Sequence, residues 1–306
     1  YTTGVANPYL LLEPSRTNRL GYSELFSNWT ITGSITISAN QVVSPEGVIN
    51  ASIIDFSSTG AGGGVYVFGG VPSSSVSRTI YLKGAVGGET LDFSDPSQGG
   101  GSNITLTTEW QRFEYTGGSA ALCGIWLKNS AGNIIYAYGA QIEEGSYPTS
   151  YIPTYSVSAT RAADVCNKLD ASGEIGQTEG TFVMDFNYSH NQINVPIFET
   201  STTSSNIYTL TLSDFKIRFW ITLSGSNEVV LTTPTIPSEG RHKLAVAYKQ
   251  NDSCFYLDGV LVGNDTSCSI PAVSELYLNK FNADVLEFTV FKERLTNAEL
   301  ATLTTI

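Results

Sequence analysis

One short segment of the sequence combines a tryptophan with two cations. Positions 215, 217, 219 and 221 are all apolar, so the segment is predicted to be a strand whose apolar side faces a core. Lys216, Arg218 and Trp220 would then share the opposite side. An indole can pack on the C–H face of a sugar ring while nearby cations hold an acidic substituent. The pattern predicts a site for an acidic or uronic sugar; the alternative is that Trp220 packs beneath a loop, at a subunit interface or against another domain.

Four further residues alternate with apolar neighbours in the same way and are weaker candidates for glycan binding. They are Tyr256, Tyr277, Trp126 and Lys128. For Trp126 and Lys128 the alternative is a solvated sheet face, and the sequence does not give the position of Tyr256 and Tyr277 relative to Trp220. Trp29 and Trp110, by contrast, are predicted to be packing residues.

Carboxyl groups that could cleave a glycan are not paired in the sequence. Hydrolysis requires two carboxyls that face one cleft. Glu143 and Glu144 are adjacent, so in a strand they would point to opposite faces. Asp185 and Asn187 share a face of one predicted strand, for which we expect a solvated surface.

The two histidines also indicate no catalytic set. His190 lies in a predicted loop, and His242 alternates with apolar residues as a half-buried strand residue would. Neither belongs to an assignable Ser-His-Asp or Cys-His arrangement, and no glycine-rich phosphate-binding motif is present. We therefore expect a protein that is not an enzyme and that needs no nucleotide cofactor.

Metal binding has weak candidates only. The four cysteines contain no Cys-x-x-Cys pair, which disfavours zinc. Calcium is possible at two Asn-Asp pairs, 251–252 and 264–265, although such residues are equally typical of turns. Cys254 and Cys268 flank a predicted hairpin and are either a disulfide pair or free thiols.

Composition excludes some classes of partner. The 306 residues hold 16 basic and 28 acidic side chains, a formal charge of −12, which disfavours nucleic acid. No apolar run reaches the roughly 20 residues that span a bilayer, so membrane insertion is not expected. Because the sequence begins at Tyr1, we expect a fragment or a processed product.

Strand signals dominate the chain. Short runs rich in Val, Ile, Thr, Tyr and Phe alternate with Gly, Ser, Asn and Pro clusters, a pattern typical of β-sandwiches. The Asp258–Gly259 dipeptide predicts a two-residue type I′ hairpin turn. The one predicted helix follows Thr296, which with Glu299 forms a capping-box pattern.

Four stretches of the first half carry a family resemblance. They are LLLEPSRTN at 10–18, YSELFSNW at 22–29, TLTTEWQRF at 105–113 and YGAQIEEGSYPTSYIPT at 138–154. Together they resemble the carbohydrate-binding-module-like jelly roll of bacteriophage tail and virion surface proteins, over about residues 8–165.

The second half resembles the concanavalin A-like, laminin-G-type sandwich. The stretches are KLAVAY at 243–248, CFYLDGVLVG at 254–263, LEFTVF at 286–291 and RLTNAEL at 294–300. Both resemblances imply glycan binding or scaffolding more often than catalysis, and fold alone does not decide between them.

The sequence thus predicts an all-β protein with two antiparallel sandwiches in tandem. We expect a jelly roll at 1–155, an ordered connector at 156–174 and a laminin-G-like sandwich at 175–306. The function implied is a non-enzymatic adhesion module on a phage virion or tail fibre, extracellular, that binds a bacterial surface polysaccharide and other virion proteins and forms a homo-oligomer, with a trimer as the first guess. The alternatives are a glycan depolymerase and a purely structural virion protein.

Overall fold

The structure, a computed structural model, describes residues 10–59, 62–70, 75–95, 100–117, 122–128, 133–188, 195–201, 205–213, 216–235, 237–278 and 284–306. These residues form two compact units. Residues 15–162 make one, here called the inserted sandwich. Residues 10–14 and 163–306 make the other, the C-terminal sandwich. His190 lies outside the described residues.

In the part of it that the structure describes, the inserted sandwich consists of two five-stranded antiparallel sheets and a two-stranded ribbon. Its strands are β2 (Arg16–Asn18), β3 (Thr30–Thr32), β4 (Thr36–Val43), β5 (Ile49–Asp55), β6 (Gly64–Phe68), β7 (Val76–Gly84), β8 (Thr90–Asp95), β9 (Gly100–Thr105), β10 (Gln111–Thr116), β11 (Leu122–Leu127), β12 (Ile134–Glu144) and β13 (Ala159–Arg161). Sheet I has the order β10-β7-β12-β5-β4, sheet II has the order β3-β6-β11-β8-β9, and β2 pairs with β13. A 3-10 turn spans Phe26–Asn28.

Alternation along the strands builds the core between sheets I and II. Ile80, Leu82, Ile125 and Leu127 are all buried there, as strands with one apolar face require. Trp29 joins this core, and its indole N–H donates to the carbonyl of Tyr22 (2.8 Å). Its predicted packing role is confirmed.

The segment after β12 folds back over the outer face of sheet I. Asn18, fully buried, donates to the carbonyls of Ala140 (3.2 Å) and Ile152 (2.8 Å). The side-chain oxygen of Gln141 accepts the amide hydrogen of Ile152 (2.6 Å). Glu143, also fully buried, accepts two hydrogen bonds from Thr149. Because buried polar groups need partners, these side chains hold the 147–154 segment in place.

The C-terminal sandwich has two six-stranded antiparallel sheets and one helix among the described residues. Its elements are β1 (Leu10–Leu11), β14 (Asn167–Lys168), β15 (Glu179–Tyr188), β16 (Val195–Glu199), β17 (Asn206–Ser213), β18 (Lys216–Leu223), β19 (Ser226–Thr232), β20 (Gly240–Lys249), β21 (Ser253–Leu257), β22 (Val260–Asp265), β23 (Leu276–Tyr277), β24 (Asp284–Phe291) and α1 (Asn297–Thr304). Sheet III has the order β1-β24-β15-β20-β21-β22, and sheet IV has the order β14-β23-β16-β17-β18-β19. The all-β, sandwich class predicted from the sequence is confirmed.

Two local predictions hold in this sandwich. Asp258 and Gly259 both have positive φ, 50° and 79°, as a type I′ turn requires, and they join β21 to β22. Thr296 caps α1, and its hydroxyl oxygen accepts the amide hydrogen of Glu299 while the Glu299 carboxylate accepts the amide hydrogen of Thr296. No helix in the described ranges is long and apolar enough to cross a membrane.

The order of the two units along the chain differs from the tandem arrangement expected. Leu10 and Leu11 pair with Val285 and Asp284 at the edge of sheet III. The first sandwich is therefore inserted into the second, with its ends at Ser15 and Ala162 rather than near residue 155. A strand of two residues has no recognisable period in the sequence. Its partner, β24, lies near the other end of the chain, so local patterns could not predict this pairing.

The four cysteines are free thiols. Cys268 belongs to the core between sheets III and IV. Cys254 lies on the outer face of sheet III with Leu300 of α1. The two thiols lie on opposite faces of one sheet, so the disulfide alternative is wrong.

Candidate functional site

The outer face of sheet II carries the predicted pair of Trp126 and Lys128. Ile125 and Leu127 are buried in the core, with 0% and 2% of their surface exposed. Trp126 is partly buried and Lys128 is exposed on the other side of the sheet. The alternation predicted for this strand is confirmed.

Two strand glycines form the floor beneath the Trp126 indole. Gly64 of β6 is directly opposite Trp126, and Gly124 precedes it by two residues on the same face. A Cβ atom built at either glycine would lie within 3.0 Å of the indole ring. The ring therefore lies flat on the sheet, across two positions where any side chain would lift it. Glycine inside a strand often marks such a close approach.

Two more aromatic rings continue this surface along β6. The Tyr66 ring is nearly parallel to that of Trp126, with centroids 5.8 Å apart and planes at 17°. The Phe68 ring meets Tyr66 edge-on at 5.9 Å and is 66% exposed. We call Trp126, Tyr66 and Phe68 the aromatic platform. Tyr66 and Phe68 were not predicted from the sequence, although they alternate with two core-facing valines.

A polar border lies beside the platform on β8 and β9. Asp92 is directly opposite both Trp126 and Asn103. Lys128 Nζ lies 3.2 Å from Asp92 Oδ1 and 2.7 Å from Asn103 Oδ1. The charge of Lys128 is thus balanced locally by a carboxylate. Lys128, Asp92 and Asn103 thus form a network of donors and acceptors suited to sugar hydroxyls, and the role of Lys128 in glycan binding stays a prediction.

The Trp220 face lies on sheet IV of the other sandwich. Ile217, Phe219 and Ile221 are buried in the core, while Lys216, Arg218 and Trp220 are partly buried on the opposite side. The alternation predicted for β18 is therefore confirmed, and the three residues do share one face. Whether they bind a ligand remains a prediction.

Tyr277 belongs to the same face but is covered. It is opposite Glu199, Glu199 is opposite Thr209, and Thr209 is opposite Trp220, so the register places all four in one row. Tyr277 and Glu199 are each only 8% exposed, and the Tyr277 hydroxyl donates to Glu275 (3.0 Å). Tyr277 is therefore removed from the candidate site, since its ring has almost no open surface.

Tyr256 lies on a different sheet and is also covered. It is 6% exposed and packs with Ala245, Ala247 and Leu300 where α1 covers the outer face of sheet III. Its prediction as a ligand residue is corrected, because the helix occupies the surface that a sugar would need.

The side chains considered for catalysis are engaged in structural contacts. His242 Nδ1 lies 2.7 Å from Asp258 Oδ2, and its Nε2 lies 2.7 Å from the carbonyl of Ser238. Asp185 is 6% exposed and accepts two hydrogen bonds from Arg241, at 2.9 and 2.6 Å. The solvated face expected for Asp185 is thus an ion pair instead.

One carboxyl missed at the sequence level has an altered acidity. Glu24 accepts hydrogen bonds from the hydroxyls of Tyr151 (3.0 Å) and Tyr138 (3.5 Å). Burial raises the pKa of Glu24 above its usual value, and the nearby charge of Glu46 adds to the increase. A glutamate with a raised pKa is the type of group that serves as a general acid.

The calcium candidates are engaged in turns and an ion pair. Asp252 accepts from Arg294 (2.8 Å), and Asn251 occupies a left-handed turn with φ of 57°. Asp265 accepts the amide hydrogen of Ser267 (2.8 Å). Within the described ranges no three His, Cys, Asp or Glu residues come together in a possible metal site.

Sequence comparisons with protein-family models and with curated proteins find no match. Among solved structures, the CBM40 module of Ruminococcus gnavus IT-sialidase, bound to α2,3-sialyllactose, matches 46% of this chain and 98% of its own, with 14% identity and a TM-score of 0.38. The NanB sialidase of Streptococcus pneumoniae matches 45% of this chain and 26% of its own, with 14% identity and a TM-score of 0.37. A heptameric SAP-like pentraxin from Limulus polyphemus matches 41% and 69%, with 14% identity and a TM-score of 0.34.

Proposed function

We propose that the protein is a non-enzymatic glycan-binding module whose main site is the aromatic platform. The observation that carries the proposal is the Trp126 indole, which lies flat over Gly64 and Gly124 beside the nearly parallel Tyr66 ring. A flat, partly exposed aromatic surface is complementary to the apolar C–H face of a pyranose, which packs on it with little rearrangement.

The border of the platform supports the same ligand class. Lys128, Asp92 and Asn103 supply donors and acceptors that are already linked to one another, so their positions are set before a ligand arrives. Because the lysine charge is balanced by Asp92, the site favours a neutral sugar segment. Preorganised groups of this kind lose little conformational entropy on binding.

A glycan array followed by titration of the best ligand tests the proposal. Trp126→Ala should weaken binding by about tenfold or more, equivalent to roughly 1.4 kcal/mol. Trp110→Ala is the matched control, because Trp110 is a partly exposed tryptophan outside the platform whose N–H donates to Val43 (2.9 Å). An array without any signal, or equal losses for both variants, would refute the platform as the site.

The setting we propose is the surface of a bacteriophage virion, where the protein attaches to polysaccharide on a bacterial cell. It is supported by the four tail-protein-like stretches of residues 10–154. Immunogold labelling of phage particles should place the chain on the tail or fibre. Light scattering should give about three times the 32.9 kDa chain mass if the proposed trimer forms.

A second candidate function is glycan cleavage, favoured by the Glu24 carboxyl, which accepts hydrogen bonds from Tyr151 and Tyr138 and whose pKa is raised by burial and by the charge of Glu46. In that case the protein would release reducing ends, or unsaturated ends if it were a lyase, from capsular or cell-wall polysaccharide. Glu24→Gln should then abolish the release while leaving binding at the platform intact. Binding without release, in wild-type protein, favours the adhesion module. No binding to any glycan or to host cells favours a purely structural virion protein.

A further inference from the structure

A polar cavity lies at the β2–β13 ribbon of the inserted sandwich, apart from sheet II. It is lined by Ser15, Arg16, Thr17, Arg19 and Glu144 and has a volume of about 190 Å³. That is below the roughly 300–1,000 Å³ of sites for drug-sized ligands. Such a cavity fits one small polar group better than a polysaccharide chain.

Basic side chains are concentrated here in a chain that is otherwise acidic. Arg16 is directly opposite Arg161 in the ribbon, an arrangement in which like charges repel. Arg19 follows three residues after Arg16 and lines the same cavity. The chain has only 16 basic residues against 28 acidic ones, so Arg16 and Arg161 in the ribbon, with Arg19 directly after β2, are an unusual local concentration of basic side chains.

The guanidinium groups are held in place before any ligand binds. Arg16 lies over the Tyr147 ring, 5.1 Å from its centroid, and close against Gly145, where a Cβ atom would lie 2.9 Å from Arg16 Nη2. Arg19 Nη2 donates to Glu144 Oε1 at 2.8 Å. These contacts restrict the rotation of two long side chains that would otherwise lose entropy on binding.

Two donors at the cavity lack an acceptor. The Nε atoms of Arg16 and Arg19 are both buried and have no hydrogen-bond partner in the described part of the chain. A buried unsatisfied donor is unfavourable, more so on a charged group. Glu144 offsets the charge of Arg19. The Arg16 guanidinium lies against the Tyr147 ring and the Ser15 carbonyl (3.5 Å), and its charge also acts on the buried Glu143 carboxyl.

We propose that this cavity, here called the arginine site, binds a single oxyanion, such as the carboxylate of an acidic sugar or a phosphate group. Planar guanidinium groups match the paired oxygens of both, through short charge-assisted hydrogen bonds. The site is separate from the aromatic platform and does not depend on it. The protein would then recognise an acidic substituent at one place and an uncharged sugar surface at another.

Isothermal titration of the full chain at low ionic strength tests the proposal, with sodium glucuronate, inorganic phosphate and neutral glucose as probes. We expect binding of one or both anions, weakening as salt is added, and no comparable binding of glucose. Tighter binding of glucuronate would identify the natural oxyanion as the carboxylate of an acidic sugar. Tighter binding of phosphate would identify it as a phosphate group of a phosphorylated polymer. Absence of binding by both anions would overturn the proposal.

Two variants locate the anion. Arg19→Gln should weaken anion binding by about tenfold or more, and Arg16→Gln should do the same. Arg16→Gln also removes the contact with Tyr147 and could therefore prevent folding. The Arg19→Gln variant keeps the test valid in that case, because the side chain of its partner Glu144 is 38% exposed. Anion binding unchanged in a folded Arg19→Gln protein would refute the site. Trp126→Ala should leave anion binding intact, which distinguishes failure here from failure of the platform.

Discussion

Trp126 and Trp220 have the same local pattern but different surroundings. Each alternates out of a buried strand beside a basic residue. Trp126 lies flat over two glycines, with Tyr66 and Phe68 extending the surface. The face of Trp220 is partly closed, because Tyr277 in its row is only 8% exposed. A tryptophan that points away from the core forms a binding surface only when the residues beneath its ring are small and the residues around it leave the ring exposed.

The outer faces of sheets I and III extend the comparison, because each is partly covered by another segment of the same sandwich. Helix α1 covers part of sheet III through Leu300 and Tyr256. The 147–154 segment covers part of sheet I, where Gln141 and Glu143 bind its backbone. A strand residue that points away from one core can therefore belong to a second, smaller core.

Tyr256→Ala should give the largest loss of stability. It tests whether Tyr256, which points away from the main core, stabilises the fold by packing beneath α1. Loss of this side chain beneath α1 should destabilise the protein by about 3–5 kcal/mol, measured by urea unfolding. Tyr256→Phe is the control and should change stability little, because it keeps the ring. A stable Tyr256→Ala protein with weakened glycan binding would restore Tyr256 to the site.

Gly124→Ala tests whether glycan binding requires a residue without a side chain beneath the Trp126 indole. The added methyl group would meet both Trp126 and Tyr66, so we expect about 1–3 kcal/mol of destabilisation and a loss of glycan affinity of about tenfold. Gly173→Ala is the matched control, because a Cβ atom there meets nothing within 4 Å. Unchanged affinity in Gly124→Ala would show that a flat indole is not required.

Trp220→Ala tests whether the second face binds a ligand at all. If Lys216, Arg218 and Trp220 hold an acidic sugar, affinity for acidic glycans should fall by about tenfold while stability changes by less than about 1 kcal/mol. Affinity for neutral glycans should not change. A loss of stability as large as the loss of binding would assign Trp220 to packing.

Glu143→Gln should give the smallest effect, visible only as a change with pH. Burial raises the pKa of Glu143, more than its hydrogen bonds with Thr149 and the charge of Arg16 lower it. The stability contributed by this carboxyl is therefore present below its unfolded pKa of about 4.3 and is lost as pH rises through the higher folded pKa. Relative to wild type, the Glu143→Gln melting temperature should rise between about pH 4 and pH 7. A constant difference, or an equal trend in the exposed control Glu109→Gln, would contradict this assignment.

Much of the fold could be predicted from local patterns. Alternation assigned Ile217, Phe219 and Ile221 to a core and Trp220 to the opposite face, and the dipeptide Asp258–Gly259 specified its turn. The candidate site was predicted only in part. Trp126 and Lys128 were identified, but the platform also requires Gly64, which lies on another strand.

Local sequence patterns establish which side of each strand is apolar, where tight turns form and where the terminal helix begins, because these features depend on residues a few positions apart. The folded chain is needed to show which outer faces stay open and that one sandwich is inserted into the other. Those outcomes depend on contacts between distant residues, such as Tyr256 with Leu300, Gly64 with Trp126 and Leu10 with Val285. The alternation along a strand predicts which side chains point away from the core. Tertiary packing determines whether those side chains contact solvent or another segment of the protein.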